Sequence, residues 1–293
     1  MKINSLKKIY NAFKNHPIFK RVFLSVFGNA VASSFNFVVS LLVVRVLAAS
    51  EFGIFQYLIT VIRGILRIID FSSVELLLFS KKRNFSKEKL LSTFYSIQII
   101  KLLIMMPLSY IAYINNLFQI PFIFIFLSII YIDIRYYLIY GIVNIKEVFT
   151  GTKSAQLIHT AYSLFISVII FLLYFIIDFN LYKIILSFFF ISIFYIIIIL
   201  FTNKDLAIVP KLDVKVIKSF LSQSLFLEIQ IVIGVLSKIL QDSLIIFTTG
   251  NISYALYAIS KIFGSIITVI SKSMVRPLNP FFWRINIDNK KET

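Results

Sequence analysis

The chain contains no cysteine and only two histidines, His16 and His159. Disulfide frameworks and thiolate metal sites are thereby excluded, and two distant imidazoles make no cluster for a zinc ion. Charge is scarce too: Asp, Glu, Lys and Arg make up 15% of the residues, where soluble domains carry about 25%. Also missing is any polar stretch long enough to hold a soluble domain. Hydrophobic residues fill 59% of the 293 positions, and the mean hydropathy is +0.91. This balance rules out a soluble globular fold. At roughly 20 apolar residues per crossing the supply allows about eight membrane helices. The expected fold class is an all-α polytopic membrane protein.

Apolar runs of sufficient length occur at 22–44, 53–79, 91–114, 117–140, 157–177, 181–202, 219–247 and 253–275. Short polar joins such as Asn115-Asn116 and Gly250-Asn251 separate them. The expected layout is a basic interfacial segment over 1–21, a six-helix lobe over 22–202, a linker over 203–218, a two-helix partial lobe over 219–275 and a basic tail over 276–293. The interfacial reading of the first segment rests on Leu6, Ile9, Tyr10 and Phe13 lying opposite Lys7, Lys8 and Lys14 on a helix.

The net charge of +17 is explained by its placement. Every cation outside the spans, except Arg45 and Lys183, falls on the side of the N-terminus. The positive-inside rule then puts both termini in the cytoplasm. Such an excess binds anionic lipid, and no nucleic acid is required to account for it. Ala30-Val31-Ala32 resembles a signal-peptidase site, but the apolar run continues to Val44, too long for a signal peptide, so no cleavage is expected.

Within the spans lie Arg63, Arg67, Lys101, Arg135, Lys238, Lys261 and Lys272, with Asp70, Glu75, Asp133, Glu228 and Asp242. Each costs about 2.5–3.5 kcal/mol at a helix centre, so the helices are expected to enclose a polar interior. Three stripes at helical spacing mark its walls: Arg63, Arg67 and Asp70; Asn29, Ser33, Asn36 and Ser40; and Tyr257, Lys261, Gly264, Thr268 and Lys272. Arg63 and Arg67 suit a diphosphate, since a guanidinium presents a fork of donors to phosphate oxygens; the alternative is a structural Arg67–Asp70 pair. Lys101 and Lys261 read equally as cavity lining or as paired structural charge. Lys238 and Asp242, one turn apart, read as an intrahelical pair or a gate. Glu228 has no basic neighbour one turn away, which makes it a candidate for proton or cation coupling beside Asp70 and Asp242. Asp133, Arg135 and Lys272 are expected to snorkel toward the inner surface, and His159 to sit at a span boundary. No outer connection exceeds about eight residues, a length of simple helix joins. The layout therefore points away from an enzyme, and toward transport with no cofactor or metal.

A gap-free offset of 200 aligns Tyr57, Ile59, Ile62 and Gly64 with Tyr257, Ile259, Ile262 and Gly264, overlaying the second span on the eighth. The segment Arg45-Val46-Leu47-Ala48-Ala49-Ser50-Glu51-Phe52-Gly53-Ile54-Phe55, followed by Asp70-Phe71, resembles the polysaccharide-export (Wzx-type) flippases of the MOP superfamily, relatives of the MATE exporters. A weaker similarity runs from Asp242 to Tyr257, and Pro277 falls where that family often has proline. Ala49-Ser50 stand where Gly-Pro is common, and Ser72 where Gly usually follows Asp-Phe. The resemblance implies two six-helix lobes bending against each other in a bacterial inner membrane. Its implied cargo is an undecaprenyl-diphosphate-linked oligosaccharide, such as an O-antigen or capsule repeat unit, moved to the periplasmic leaflet. That family has a dozen or more helices, so the resemblance implies either a short form or a second chain supplying the remaining helices. The alternatives are a cation-coupled small-molecule exporter of the same superfamily and a non-transporting member of a polysaccharide assembly complex. Arg63, Arg67, Lys101 and Lys261 are the expected cargo-binding residues, from position and chemistry and not from the family motif.

Overall fold

The computed structural model describes residues 17–70, 73 and 85–288, and their side chains except at 17–22, 152, 219–227 and 265–288. Residues 1–16 of the expected interfacial segment, the Phe71-Ser72 step, Glu75 and the side chains of Thr268, Lys272 and Pro277 lie outside the described residues. The protein is an all-α polytopic membrane protein. Its helices are α1 (Pro17–Val46), α2 (Ala49–Ile69), α3 (Lys87–Ile114), α4 (Phe122–Asp133), α5 (Ile139–Phe149), α6 (Thr152–Tyr174) and α7 (Leu181–Thr202). A π-helical turn, Ile134–Leu138, joins α4 to α5, so that Phe122–Phe149 forms one span.

The last helical run, Val214–Asp288, breaks at Gly250, where φ is 84° and ψ 172°. That backbone region is essentially open to glycine alone. Asp242 touches Lys261 across the break, yet 19 residues of unbroken helix would hold them about 28 Å apart. The chain therefore reverses at Gly250, giving two antiparallel helices, α8 (214–249) and α9 (251–288). The apolar runs 219–247 and 253–275 thus fall on separate helices.

Local chemistry sets several of the boundaries. Ser86 caps α3 by accepting from the Lys89 backbone N–H (3.3 Å), and Asn180 caps α7 through the Lys183 N–H (3.0 Å). Pro121 precedes α4, and Gly151, at φ 106°, makes the tight step from α5 to α6. The fourth span runs nine residues beyond its expected end at Tyr140, because Ile142, Val143 and Ile145 are also buried and hold the helix against α6. Lys146, expected in a loop, is consequently helical and buried.

The helices pack as a bundle in which α1 lies along α6, α4 along α7, and α2 along the α8–α9 hairpin, which α1 also touches. An aromatic column of Phe55, Phe188 and Tyr131, with ring centroids 6.0 and 4.9 Å apart, ties α2, α7 and α4 together. Along α1 and α6 the contact is polar. Thr160 donates to the Gly28 carbonyl (3.3 Å), Asn36 to Ser163 (3.2 Å) and Ser167 to the Phe35 carbonyl (3.0 Å). Small and hydroxyl-bearing residues let the two backbones approach and hydrogen-bond where lipid supplies no partner. Part of the neutral stripe on α1 is thus helix-to-helix adhesive.

At the basic end of the bundle the connection after α7 is strapped down. Tyr95 donates to the Leu206 carbonyl (3.0 Å), the Lys211 N–H donates to the Ser92 carbonyl (3.2 Å), and Asp205 receives Lys87 of α3 and Lys146 of α5. Burial alone would raise the Asp205 carboxyl, but the hydrogen bonds and charges of the two lysines outweigh it and hold it below the usual carboxylate range. A carboxyl depressed in the folded state stabilises above its unfolded value near 3.8, and that contribution disappears as pH falls through the folded value. The pair is solvent-screened, so its worth is under about 1 kcal/mol. Asp205→Asn is expected to speed amide exchange over 203–213 at neutral pH. At a pH below 3 the variant and the parent should exchange alike.

Candidate functional site

Two clusters of charge form inside the bundle. In the first, Lys101, at the middle of α3, lies 3.0 Å from Asp70 at the C-cap of α2 and 2.7 Å from Asp133 at the end of α4. All three are buried, Lys101 to 1% exposure. Gln98 donates to the same Asp70 oxygen (3.3 Å), and the Lys101 ammonium stands 4.0 Å from the centre of the Tyr137 ring. Of the two roles open to Lys101, the geometry supports paired charge. Its ammonium is hydrogen-bonded to Asp70, ion-paired with Asp133 and stacked on the Tyr137 ring. The snorkelling expected of Asp133 is corrected by this contact, because the carboxylate is buried and ion-paired with an ammonium on α3.

The second cluster is basic and more open. Arg63 of α2 lies 4.2 Å from the centre of the Tyr136 ring, and Arg135 lies 5.2 Å from it. Arg135 also donates to the Asn36 side-chain oxygen of α1 (3.0 Å) and to the Tyr131 hydroxyl. It therefore does not snorkel, as the sequence led us to expect, but is held inside by hydrogen bonds. Lys238 of α8 is within electrostatic reach of Arg63, Lys261 and Tyr136. Cations against an aromatic face are attracted by the ring quadrupole, which lets two guanidiniums share Tyr136 without a carboxylate between them. Arg67, one turn along α2 from Arg63, is half-buried.

Asp242 faces this cluster from α8. Its Oδ1 accepts from Lys261 of α9 (2.5 Å) and its Oδ2 from the Tyr254 hydroxyl (3.0 Å). The pairing with Lys238 expected one turn away gives way to this one, since the reversal at Gly250 brings α9 directly opposite. Lys261 also stands 4.1 Å from the centre of the Tyr257 ring. Glu228 is buried on α8, about 21 Å of helix before Asp242. It belongs to a different level of the bundle. His159, toward the start of α6, is buried and hydrogen-bonded to the Tyr140 hydroxyl (3.1 Å). Among the described residues no group of three His, Cys, Asp or Glu is placed to hold a metal ion.

The π-helical turn makes this arrangement possible. The Ile139 N–H bonds the Ile134 carbonyl five residues back, widening the turn that carries Arg135, Tyr136 and Tyr137. Asp133 and Tyr137 meet Lys101 on one side, while Arg135 and Tyr136 turn toward α1 and α2. The Tyr137 hydroxyl then donates to the Arg63 carbonyl (2.7 Å), joining the two clusters. In the sequence the run Asp133-Ile134-Arg135-Tyr136-Tyr137 carried the chemistry, but nothing in it marks an i+5 turn. Arg135, Tyr136 and Asn36 were therefore not among the expected cargo-binding residues.

Comparison with family models, curated proteins and solved structures returns no match to this chain.

Proposed function

We propose that this protein is a flippase-like transporter that carries a polyprenyl-diphosphate-linked oligosaccharide across a bacterial inner membrane, from the cytoplasmic leaflet outward. The observation that supports this most is that Arg63 and Arg135, from separate helical segments, share the Tyr136 ring, with Lys238 within electrostatic reach of Arg63 and of the Asp242-bound Lys261. Such an excess of cations inside a membrane protein calls for an anion. A diphosphate has the right charge, and its oxygens match the guanidinium forks of Arg63 and Arg135. Charge in the basic cluster would offset the cost of carrying bare phosphate through a low-dielectric zone. The polar residues of α1 would offer hydrogen bonds to sugar, and the basic end of the bundle would hold anionic lipid.

On α8, the exposed Gln230, Gly234, Ser237 and Gln241 share one face. Amides exposed along a span call for a hydrogen-bonding neighbour, which supports the reading that further transmembrane helices, from a second chain, cover this side. The buried Asp70–Lys101–Asp133 group supports, as a second reading, cation-coupled export of small molecules.

Complementation separates these readings. The chain is expressed in a bacterium lacking its own oligosaccharide-lipid flippase, together with its partner helices where needed, and surface glycan is measured. Arg63→Gln combined with Arg135→Gln is expected to cut glycan export by on the order of 10-fold or more, since hydrogen bonds to charged groups contribute about 1.5–3 kcal/mol each. Undiminished glycan from the double variant, at equal protein in the membrane, would remove the diphosphate reading.

A further inference from the structure

We propose that the Asp242–Lys261 pair is a latch on the α8–α9 hairpin, and that a diphosphate group opens it by taking Lys261 from Asp242. The inference rests on the anion-binding reading above and adds to it a way for cargo to change the protein's shape.

Both oxygens of Asp242 are engaged by α9, one by Lys261 and the other by Tyr254. These bonds lie about 12 Å along α8 from the turn, where they set how far the two helices stay together. The turn itself is permissive. Gly250 has nothing within 4 Å of the place a Cβ would occupy, so the reversal pivots on an unobstructed glycine, next to Asn251, whose backbone rests against Gly53 of α2. The hairpin is also tied to α2 on both arms: the Tyr57 hydroxyl bonds Ser243 of α8 at 2.9 Å, and the Tyr57 ring meets that of Tyr254 of α9 edge-on at 5.9 Å. A movement between α8 and α9 is therefore felt at the wall that carries Arg63.

The two partners differ in access. The Asp242 side chain is 1% exposed, whereas that of Lys261 is 36% exposed. Lys238 is within electrostatic reach of Arg63, Lys261 and Asp242, which puts Lys261 on the side of the basic cluster. An anion held by Arg63 and Arg135 competes with Asp242 for the Lys261 ammonium, which reaches it by rotating a flexible four-carbon stem. Asp242 then keeps only Tyr254 of these two partners, and the hairpin loses this ionic tie. A ligand shifts such an equilibrium only through differential affinity, and here the difference is the ammonium, offered to the ligand in the open state alone.

The chain has no native cysteine, so spin labels attach only where placed. Ser237→Cys on α8 and Ser260→Cys on α9, both exposed, report the separation of the arms by pulsed electron spin resonance on the full chain in lipid nanodiscs. Adding farnesyl diphosphate is expected to convert the majority of the population to a longer distance. Inorganic pyrophosphate tests whether the headgroup suffices: the same shift assigns the effect to phosphate alone, and a shift with the farnesyl compound only assigns it to a lipid-linked group. Asp242→Asn should show the longer distance with no addition. Lys261→Gln keeps a donor for Asp242 but offers no cation, and should stay short with either probe. An Asp242→Asn hairpin as short as the parent overturns the latch. So does a parent unmoved by a probe that binds it, where binding is lost in the Arg63→Gln, Arg135→Gln variant. Absence of binding by both probes overturns the anion-binding reading, and the exchange with it, whatever the Asp242→Asn distance shows.

Discussion

Lys101→Met is expected to destabilise the protein by about 3–5 kcal/mol, the cost of leaving buried charge without its partner. The methionine fills nearly the same volume, so packing is not the cause. What changes is that Asp70 and Asp133, at 3.0 and 2.7 Å from the ammonium in the parent, face each other with no cation between them. Both are buried, on α2 and α4, and Lys101 of α3 is the ionic partner that they share. Separating α3 from its neighbours would be the first relief, since water could then reach the carboxylates. Combining Lys101→Met with Asp70→Asn and Asp133→Asn should recover most of the loss, because replacing a whole buried ionic group is often neutral. Unfolding in mixed micelles measures both. A single variant no weaker than the exposed Lys153→Met would show that the buried group is solvated, contrary to its place in the bundle.

The second large effect is expected at Gly53. A Cβ there would lie 2.1 Å from the Asn251 carbonyl oxygen and 3.0 Å from its carbon. Both contacts are to backbone, so no rotamer change relieves them. To accept alanine, the start of α2 must move about 1 Å from the turn between α8 and α9, and overpacking of this kind costs about 1–3 kcal/mol or more. The movement also pulls Tyr57 from Ser243 and Tyr254, which stand one turn deeper. Gly264→Ala is the natural comparison. That site has open space around it, and alanine in a helix is favoured over glycine by up to about 1 kcal/mol. Thermal unfolding in one detergent should show Gly53→Ala well below the parent and Gly264→Ala at or above it. Equal melting of the two variants would mean that the α2 contact with the hairpin turn contributes nothing to stability.

Legibility of the site in the sequence followed the range of the interactions. Helical spacing correctly grouped Arg63 with Arg67, because both belong to one regular helix and a period of 3.6 residues is a local property. It also singled out Asn36 as part of a polar stripe, though not its bond to Arg135. Asp242 shows where local reasoning ends. One turn away stood Lys238, a plausible partner at i+4, but the chain doubles back at Gly250 and presents Lys261 at 2.5 Å. Lys101 was equally ambiguous, since its two carboxylates come from positions 31 residues before and 32 after it.

The amino-acid sequence by itself determined that the chain is all-helical and crosses a membrane repeatedly, because apolar runs of this length satisfy their backbone hydrogen bonds in lipid only as helices. It also determined that charge enters the spans, and therefore that the helices surround a polar interior. Tertiary structure alone decided which charges neutralise one another and which remain open. The physical reason is that an ion pair depends on distances between helices, set by packing, by the wide turn at Ile134–Leu138 and by the reversal at Gly250. Lys101 was closed off by two carboxylates, while Arg63 and Arg135 were left gathered on Tyr136.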